Sequence, residues 1–132
     1  MTQTCESAYR DLKRLLANGP LTGVPRRLSD QDLLVALAAS RFDAQESYSE
    51  GEVNEKLKAW LRTFCEPFGI DHVSLRRMLV DSRLMSRTDS GSTYRVNLER
   101  AGEMEAVRTV EPVHVLAEIR TGRESRKRQR AA

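Results

Sequence analysis

IDHVSLRRMLVDSRLMSRTDSGSTYRV, residues 70–96, holds a complete helix and a complete hairpin in one run. Asp71 is the expected N-cap, its carboxylate accepting backbone N–H groups of the first turn. Ile70 and Leu75 are spaced as a hydrophobic staple around that cap. Leu75, Met78, Leu79 and Ser82 recur at helical spacing and form the inward stripe. Two short extended runs follow, Leu84 to Thr88 and Thr93 to Asn97, around a polar Asp89-Ser90-Gly91-Ser92 tip, which reads as a β-hairpin. Tyr94 and Val96 alternate with Thr93 and Arg95, so they are expected to face the core.

Upstream, YSEGEVNEKLKAWL at residues 48–61 opens on a capping box of Ser49 and Glu52, with Tyr48 and Val53 as staple. Val53, Leu57, Trp60, Leu61 and Phe64 share one helical face, and Glu52, Glu55, Lys56 and Arg62 the other. A turn over residues 65–69 joins this helix to the next. Before it, Ser29 is the expected cap of a helix running to about Ser40, stapled by Leu28 and Leu33. That helix is apolar nearly all round and belongs in the centre. Residues 41–47 read as a polar loop. Residues 4–18 predict an amphipathic helix stopped by Asn18-Gly19-Pro20. Residues 98–119 leave two readings: a helix opened by Pro112 and carrying Val113, Leu116 and Ile119, or strands at 106–110 and 113–116.

Helix, helix, turn, helix, hairpin is the order of a winged helix-turn-helix domain. The expected fold is mainly α with a small β-hairpin, winged helix-turn-helix-like. The expected organisation is an N-terminal helix (1–18), the winged-helix-like domain (19–97), a C-terminal extension (98–119) and a basic, disordered tail (120–132). The chain of 132 residues is long enough for one core. Its 39% hydrophobic and 31% charged residues are a globular balance, which excludes a disordered or fibrous protein. No apolar run approaches the roughly 18 residues of a membrane helix. No apolar block opens the chain, so no signal peptide and a cytoplasmic location are expected.

The net charge of +3 is unevenly placed. Residues 120–132 hold six basic side chains and one acid, leaving 16 basic and 18 acidic residues before them, a balance of −2. The high pI therefore belongs to the tail. Such a tail is either a handle for nucleic acid or another anionic surface, or a solvated end that aids solubility.

The stretches at 48–61 and 71–87, together with GSTYRV at 91–96, resemble the uncharacterised-domain family numbered 2087. The stretch from Gly19 to Phe42 is similar as well, so the resemblance covers roughly residues 19–97. It implies a bacterial cytoplasmic protein with a role in transcription, since members are often attached to helix-turn-helix regulators. It implies no settled biochemical activity. The chain departs from the family at Arg83, where other members tend to have glycine.

On the helix after Asp71, an outward arc of Val73, Arg76, Arg77, Val80 and Asp81 is expected. Arg76 and Arg77 suit phosphate or a guanine edge, because a guanidinium offers two parallel donors. Ser74 adds a hydrogen bond. Arg83, Arg87 and Arg95 lie in or beside the hairpin, where arginine among hydroxyls suits DNA backbone contacts. Arg126, Lys127, Arg128 and Arg130 of the tail add non-specific affinity. Against this reading, Asp71 and Asp81 repel phosphate, and an ordinary salt bridge to the Glu-rich helix is the plain alternative for Arg76. Val73 and Val80, seven apart, are equally an interaction strip.

The leading expectation is therefore a DNA-binding transcriptional regulator or accessory protein acting on duplex DNA. The alternative is a protein-protein interaction or dimerisation module, pairing with itself through residues 1–18 or 104–119 or with another regulator. RNA binding through the tail is a third reading. No enzyme is expected. Asp71, His72 and Ser74 share one turn, where their side chains splay apart rather than form a relay. Glu50, Glu52 and Glu55 suit a helix start better than acid-base work. Asn54 is expected to be structural, and His114 has no partner nearby in sequence. Cys5 and Cys65 are expected to be buried apolar groups, with no disulfide framework, no metal site and no cofactor.

Overall fold

A computed structural model of the chain describes residues 4–90 and 92–131; Gly91 of the expected hairpin tip lies outside the described residues. The elements run α1 (Cys5–Leu15), α2 (Leu28–Ala39), β1 (Ser47–Ser49), α3 (Glu50–Arg62), α4 (His72–Asp81), β2 (Met85–Arg87) and β3 (Thr93–Val96). A 3-10 turn (Leu98–Arg100), α5 (Ala101–Glu105) and α6 (Pro112–Ala131) complete the chain. The fold is mainly helical with one small antiparallel sheet, and the expected helix, helix, turn, helix, hairpin order is present.

The strongest local signals hold. At α3, the Ser49 hydroxyl accepts the Glu52 N–H at 3.1 Å while the Glu52 carboxylate accepts the Ser49 N–H at 3.0 Å. That second bond holds the Glu52 carboxyl below the ordinary carboxylate range. At α4, Asp71 accepts the N–H groups of Val73 and Ser74. Burial pushes the Asp71 carboxyl up, but these bonds and the Ser74 hydroxyl outweigh it and leave the group below its usual range.

The hairpin gains a third strand. β1 pairs with β3, so the sheet order is β1-β3-β2, with Tyr48 opposite Tyr94 and Met85 opposite Val96. Tyr94 and Val96 are buried, as their alternation predicts. Residues 46–49 carry no run of alternating apolar residues, and β1 is held to the sheet by backbone pairing. Tyr48 is its anchor: the ring meets Phe42 edge-on at 5.1 Å and the hydroxyl accepts the Asp43 N–H.

The start of α2 differs from expectation. The cap is Arg27, with no side-chain hydrogen bond, and Ser29 sits inside the first turn. Leu28 is 72% exposed, so the Leu28–Leu33 staple does not form. A part-buried ion pair takes over: the buried Asp30 carboxylate receives the half-exposed Arg14 of α1 at 2.7 Å. The pair turns the first turn of α2 toward α1, and an acid there also favours the helix dipole. The rest of α2 is central, with Leu33, Leu34, Leu37, Ala38 and Ala39 all buried.

Of the two readings for residues 98–119, the helical one is correct. Pro112 opens α6, where its missing N–H costs nothing. The Asn97 side chain donates to the Arg83 carbonyl at 2.8 Å, and Arg100 donates to the Ser82 carbonyl, so the chain after the hairpin is tied back to the end of α4. Met104, Val107, Val110, Val115 and Leu116 then enter the same core as Ala8, Leu12 and Leu16. α1 and α6 lie side by side and parallel: Cys5 meets Thr109, Tyr9 meets Glu118, and Arg123 donates to the Ala17 carbonyl. The segment expected to be a disordered tail continues α6 to Ala131. Helix-forming Arg, Lys, Gln and Glu fill it, and Arg123 fastens it to α1.

The loop before α2 and the turn before α4 are laced together. Leu21 N–H donates to the Phe64 carbonyl, and the Leu21 carbonyl accepts Glu66 N–H at 2.8 Å. Gly69 sits in this seam, where a Cβ would lie 3.0 Å from backbone atoms of both Glu66 and Thr22. Gly69→Ala is expected to destabilise the protein by about 1–3 kcal/mol, because backbone on both sides cannot give way. Gly102 of α5 has open space around its Cβ position. Gly102→Ala is expected to be neutral or stabilising by up to ~1 kcal/mol. Urea unfolding of the two variants measures both.

Candidate nucleic-acid interface

Three elements pack around α4: α2, α3 and β2. The open stripe along α4 is therefore narrow, with Ser74, Arg77 and Asp81 exposed at i, i+3 and i+7. The expected outward arc is corrected at three positions. Val80 packs against the core, and Val73 is half-buried rather than part of an exposed strip. Arg76 points to α3 instead of solvent, with only 14% of its side chain exposed. Its guanidinium pairs with Glu50 at 3.4 Å and donates to the Asn54 side-chain oxygen Oδ1. Arg76 and Asn54 sit where α3 and α4 cross, so the reason is packing geometry: an inward arginine must find acceptors there. The salt bridge to the Glu-rich helix is the reading that holds for Arg76, and Asn54 has the structural role expected of it.

Arg77 is exposed and makes no ion pair among the described residues. Ser74 is exposed too, but its hydroxyl donates to Asp71 at 3.2 Å. Residues directly opposite in an antiparallel pair share a face. Arg95 lies in a row with Ser47 and Ser86, and Arg87 in a row with Tyr94 and Tyr48. Tyr94 faces the core, so Arg87 projects from the helix side of the sheet at its exposed end, and Arg95 from the outer side among serines. The two wing arginines diverge rather than grip one phosphate. At the tip, the hydroxyls of Thr88, Ser90 and Ser92 cluster, with Ser90 and Ser92 2.8 Å apart.

Arg83 stands in the turn from α4 to β2 with φ 65. An L side chain in this left-handed conformation costs roughly 1–2 kcal/mol, whereas glycine pays nothing there. Arg83 is exposed, so its strained position presents a charge to solvent.

The cations of α6 form a second basic surface. Arg126, Lys127, Arg128 and Arg130 are all exposed, beyond the point where Arg123 meets α1. Cys5 is exposed, contrary to expectation, because it is the first residue of α1. Cys65 is half-buried and its thiol is pushed up to about 12 by burial, so it stays protonated at neutral pH. Among the described residues no group of three or more His, Cys, Asp or Glu side chains is placed to hold a metal ion. No helix among them is long and apolar enough to cross a membrane.

One aromatic escaped the sequence reading. Phe68, in the turn between α3 and α4, is fully exposed and has φ 63. Its signal was its position between Pro67 and Gly69, where a tight turn leaves no room to bury a ring.

The chain belongs to a bacterial family described as an uncharacterized protein conserved in bacteria (DUF2087), whose model matches residues 20–96. That span runs from the loop before α2 to the last residue of β3. No curated protein and no solved structure matches.

Arg76→Ala is expected to lower stability by about 1–3 kcal/mol, since it strips the inward acceptors of Asn54 and Glu50 of their donor. Arg77→Ala is expected to stay within about 0.5 kcal/mol of the parent, as an exposed side chain without partners does. Arg83→Gly is expected to raise stability by roughly 1 kcal/mol by relieving the left-handed strain. Chemical denaturation of the three variants orders them.

Proposed function

We propose that this protein binds duplex DNA through a winged-helix-like domain and acts as a transcriptional regulator or regulatory accessory protein. The observation that carries this reading is the topology. Two helices joined by a short turn, α3 and α4, are followed by a hairpin whose free edge is closed by β1. In winged helices that order sets the second helix of the pair toward the major groove and the hairpin beside the phosphate backbone. Arg77 is the cation on the open stripe of α4, and Arg83 stands at the base of the hairpin. Arg87 and Arg95 reach from opposite sides of the sheet. Because these two diverge, they suit phosphates on either side of an inserted wing rather than one shared phosphate.

The acids temper the strength of binding. Asp71 and Asp81 flank Arg77 on α4, so the domain alone is expected to bind weakly. The exposed cations Arg126, Lys127, Arg128 and Arg130 add sequence-independent affinity. The interaction-module reading draws little from the structure, because its apolar motives are used within the chain. Ala8, Leu12, Met104, Val107, Val110, Val115 and Leu116 are buried in the shared core, and Val80 packs against it.

Binding of mixed-sequence duplex across a salt series tests the proposal. Each phosphate neutralised contributes about 0.9 to the slope of log affinity against log salt for duplex DNA. In the full chain, Arg77→Ala, Arg87→Ala and Arg95→Ala are each expected to weaken binding about 3–10-fold and flatten that slope. Replacing Arg126, Lys127, Arg128 and Arg130 together by glutamine is expected to weaken binding without abolishing it. Binding unaffected by the first three changes and lost with the fourth would remove the wing and α4 as the DNA-contacting surface.

A further inference from the structure

We propose that a pocket between the C-terminal end of α2, α3 and the turn leading into α6 binds a small molecule through a carboxylate or phosphate group. The pocket has a volume of about 370 Å³ and is lined by Ser40, Arg41, Lys56, Trp60, Arg108 and Glu111. Two of these lining residues carry a buried N–H donor with no acceptor among the described residues, Trp60 Nε1 and Arg108 Nε. Folded proteins rarely leave such donors unpaired, and an unpaired one marks a place where a partner is missing. Trp60 is 8% exposed, so its indole N–H lies almost wholly inside the protein. Glu105 lies 3.0 Å from Arg108 Nε but off the N–H axis, an ion pair that leaves the donor unused.

Charge selects the ligand. Three cations line the pocket; Glu111 pairs with Arg41 and Glu105 with Arg108, which leaves the charge of Lys56 in surplus. Arg41 is already committed: it donates to Ser40 Oγ at 2.7 Å and the Arg108 carbonyl at 2.8 Å, and pairs with Glu111. Its role is to brace the wall. Lys56 has no carboxylate partner among the described residues, and its ammonium rests 5.8 Å from the Phe42 ring centre. The groups still open are thus the Lys56 ammonium, the Trp60 indole N–H and the Arg108 Nε–H, all donors. Only an acceptor-bearing ligand satisfies them, and a negative one also answers the surplus positive charge. The long Lys56 and Arg108 side chains are the ones able to turn and admit it. Glu111 directly precedes α6, so an occupied pocket would also brace the junction between the family domain and the helix that carries the basic end. The inference stands apart from DNA binding, since neither the pocket nor its test involves nucleic acid.

Trp60 is the only tryptophan of the chain, so its emission reports on this wall directly. The full-length protein would be titrated with inorganic phosphate and with acetate, against chloride at matched ionic strength. A saturable change in emission is expected with at least one of the two oxyanions and not with chloride. The stronger of the two names the head group. Lys56→Gln and Arg108→Gln are each expected to weaken that response at least about 10-fold, the loss of one charge-assisted hydrogen bond. Lys56 is exposed, so its variant keeps the test valid even if Arg108→Gln disturbs the fold. No saturable change with either oxyanion, or an unchanged midpoint in Lys56→Gln, would overturn the proposal.

Discussion

One carboxylate, Glu50 at the first turn of α3, joins the three parts that define the domain. It receives the Tyr94 hydroxyl of β3 at 3.3 Å and the Arg76 guanidinium of α4 at 3.4 Å. Tyr94 is 1% exposed, so its hydroxyl must find an acceptor inside the protein. Glu50 supplies it while keeping contact with solvent, which spares the full desolvation of a charge. The sheet and the helix pair are thereby set against each other through polar contacts of defined direction, beyond apolar packing that tolerates sliding. Rotating α4 to present Arg76 would break both the Glu50 and the Asn54 contacts. The stripe of Ser74, Arg77 and Asp81 is consequently the one α4 shows to solvent.

The parts legible in the sequence were those whose signals are local. The Ser49 and Glu52 box and the Asp71 cap depend on side chains within three residues of the backbone they satisfy. The hairpin follows from alternation around a polar tip, and Trp60 in the core follows from its helical face. What was not legible depends on partners far along the chain. β1 is three residues recruited by backbone pairing with β3, some 45 residues away. The start of α2 is set by Asp30 reaching Arg14 rather than by Ser29. α4 looked free on its outer arc because helical spacing alone does not count neighbours, and three elements crowd it. Residues 98–119 showed competing periodicities until Met104, Val107 and Val110 met the core that α1 also joins.

The candidate site shows the same division. Arg77, Arg83, Arg87 and Arg95 are exposed, as residue type and position suggested, but pairing register sends Arg87 and Arg95 to opposite faces. The pocket around Trp60 left no sequence motif, because its six lining residues come from three separate segments between Ser40 and Glu111. A motif search finds chemistry carried by one segment; a pocket assembled from three is visible only once they are packed.

Strain and an exposed charge coincide at Arg83, in the turn after α4. Before residue 120 the chain is net acidic, and its cations divide between those paired with acids and those left open. Arg83 occupies a left-handed position that glycine would fill without strain, and Arg77 goes without an acid partner among the described residues. Elsewhere, arginines are spent on structure: Arg14 on Asp30, Arg41 on Glu111, Arg76 on Glu50 and Arg100 on Glu103. The open cations around α4 and the hairpin differ in this from those neutralised across element boundaries. That difference is set by which arginines face acids across element boundaries, and the net charge of +3 conceals it.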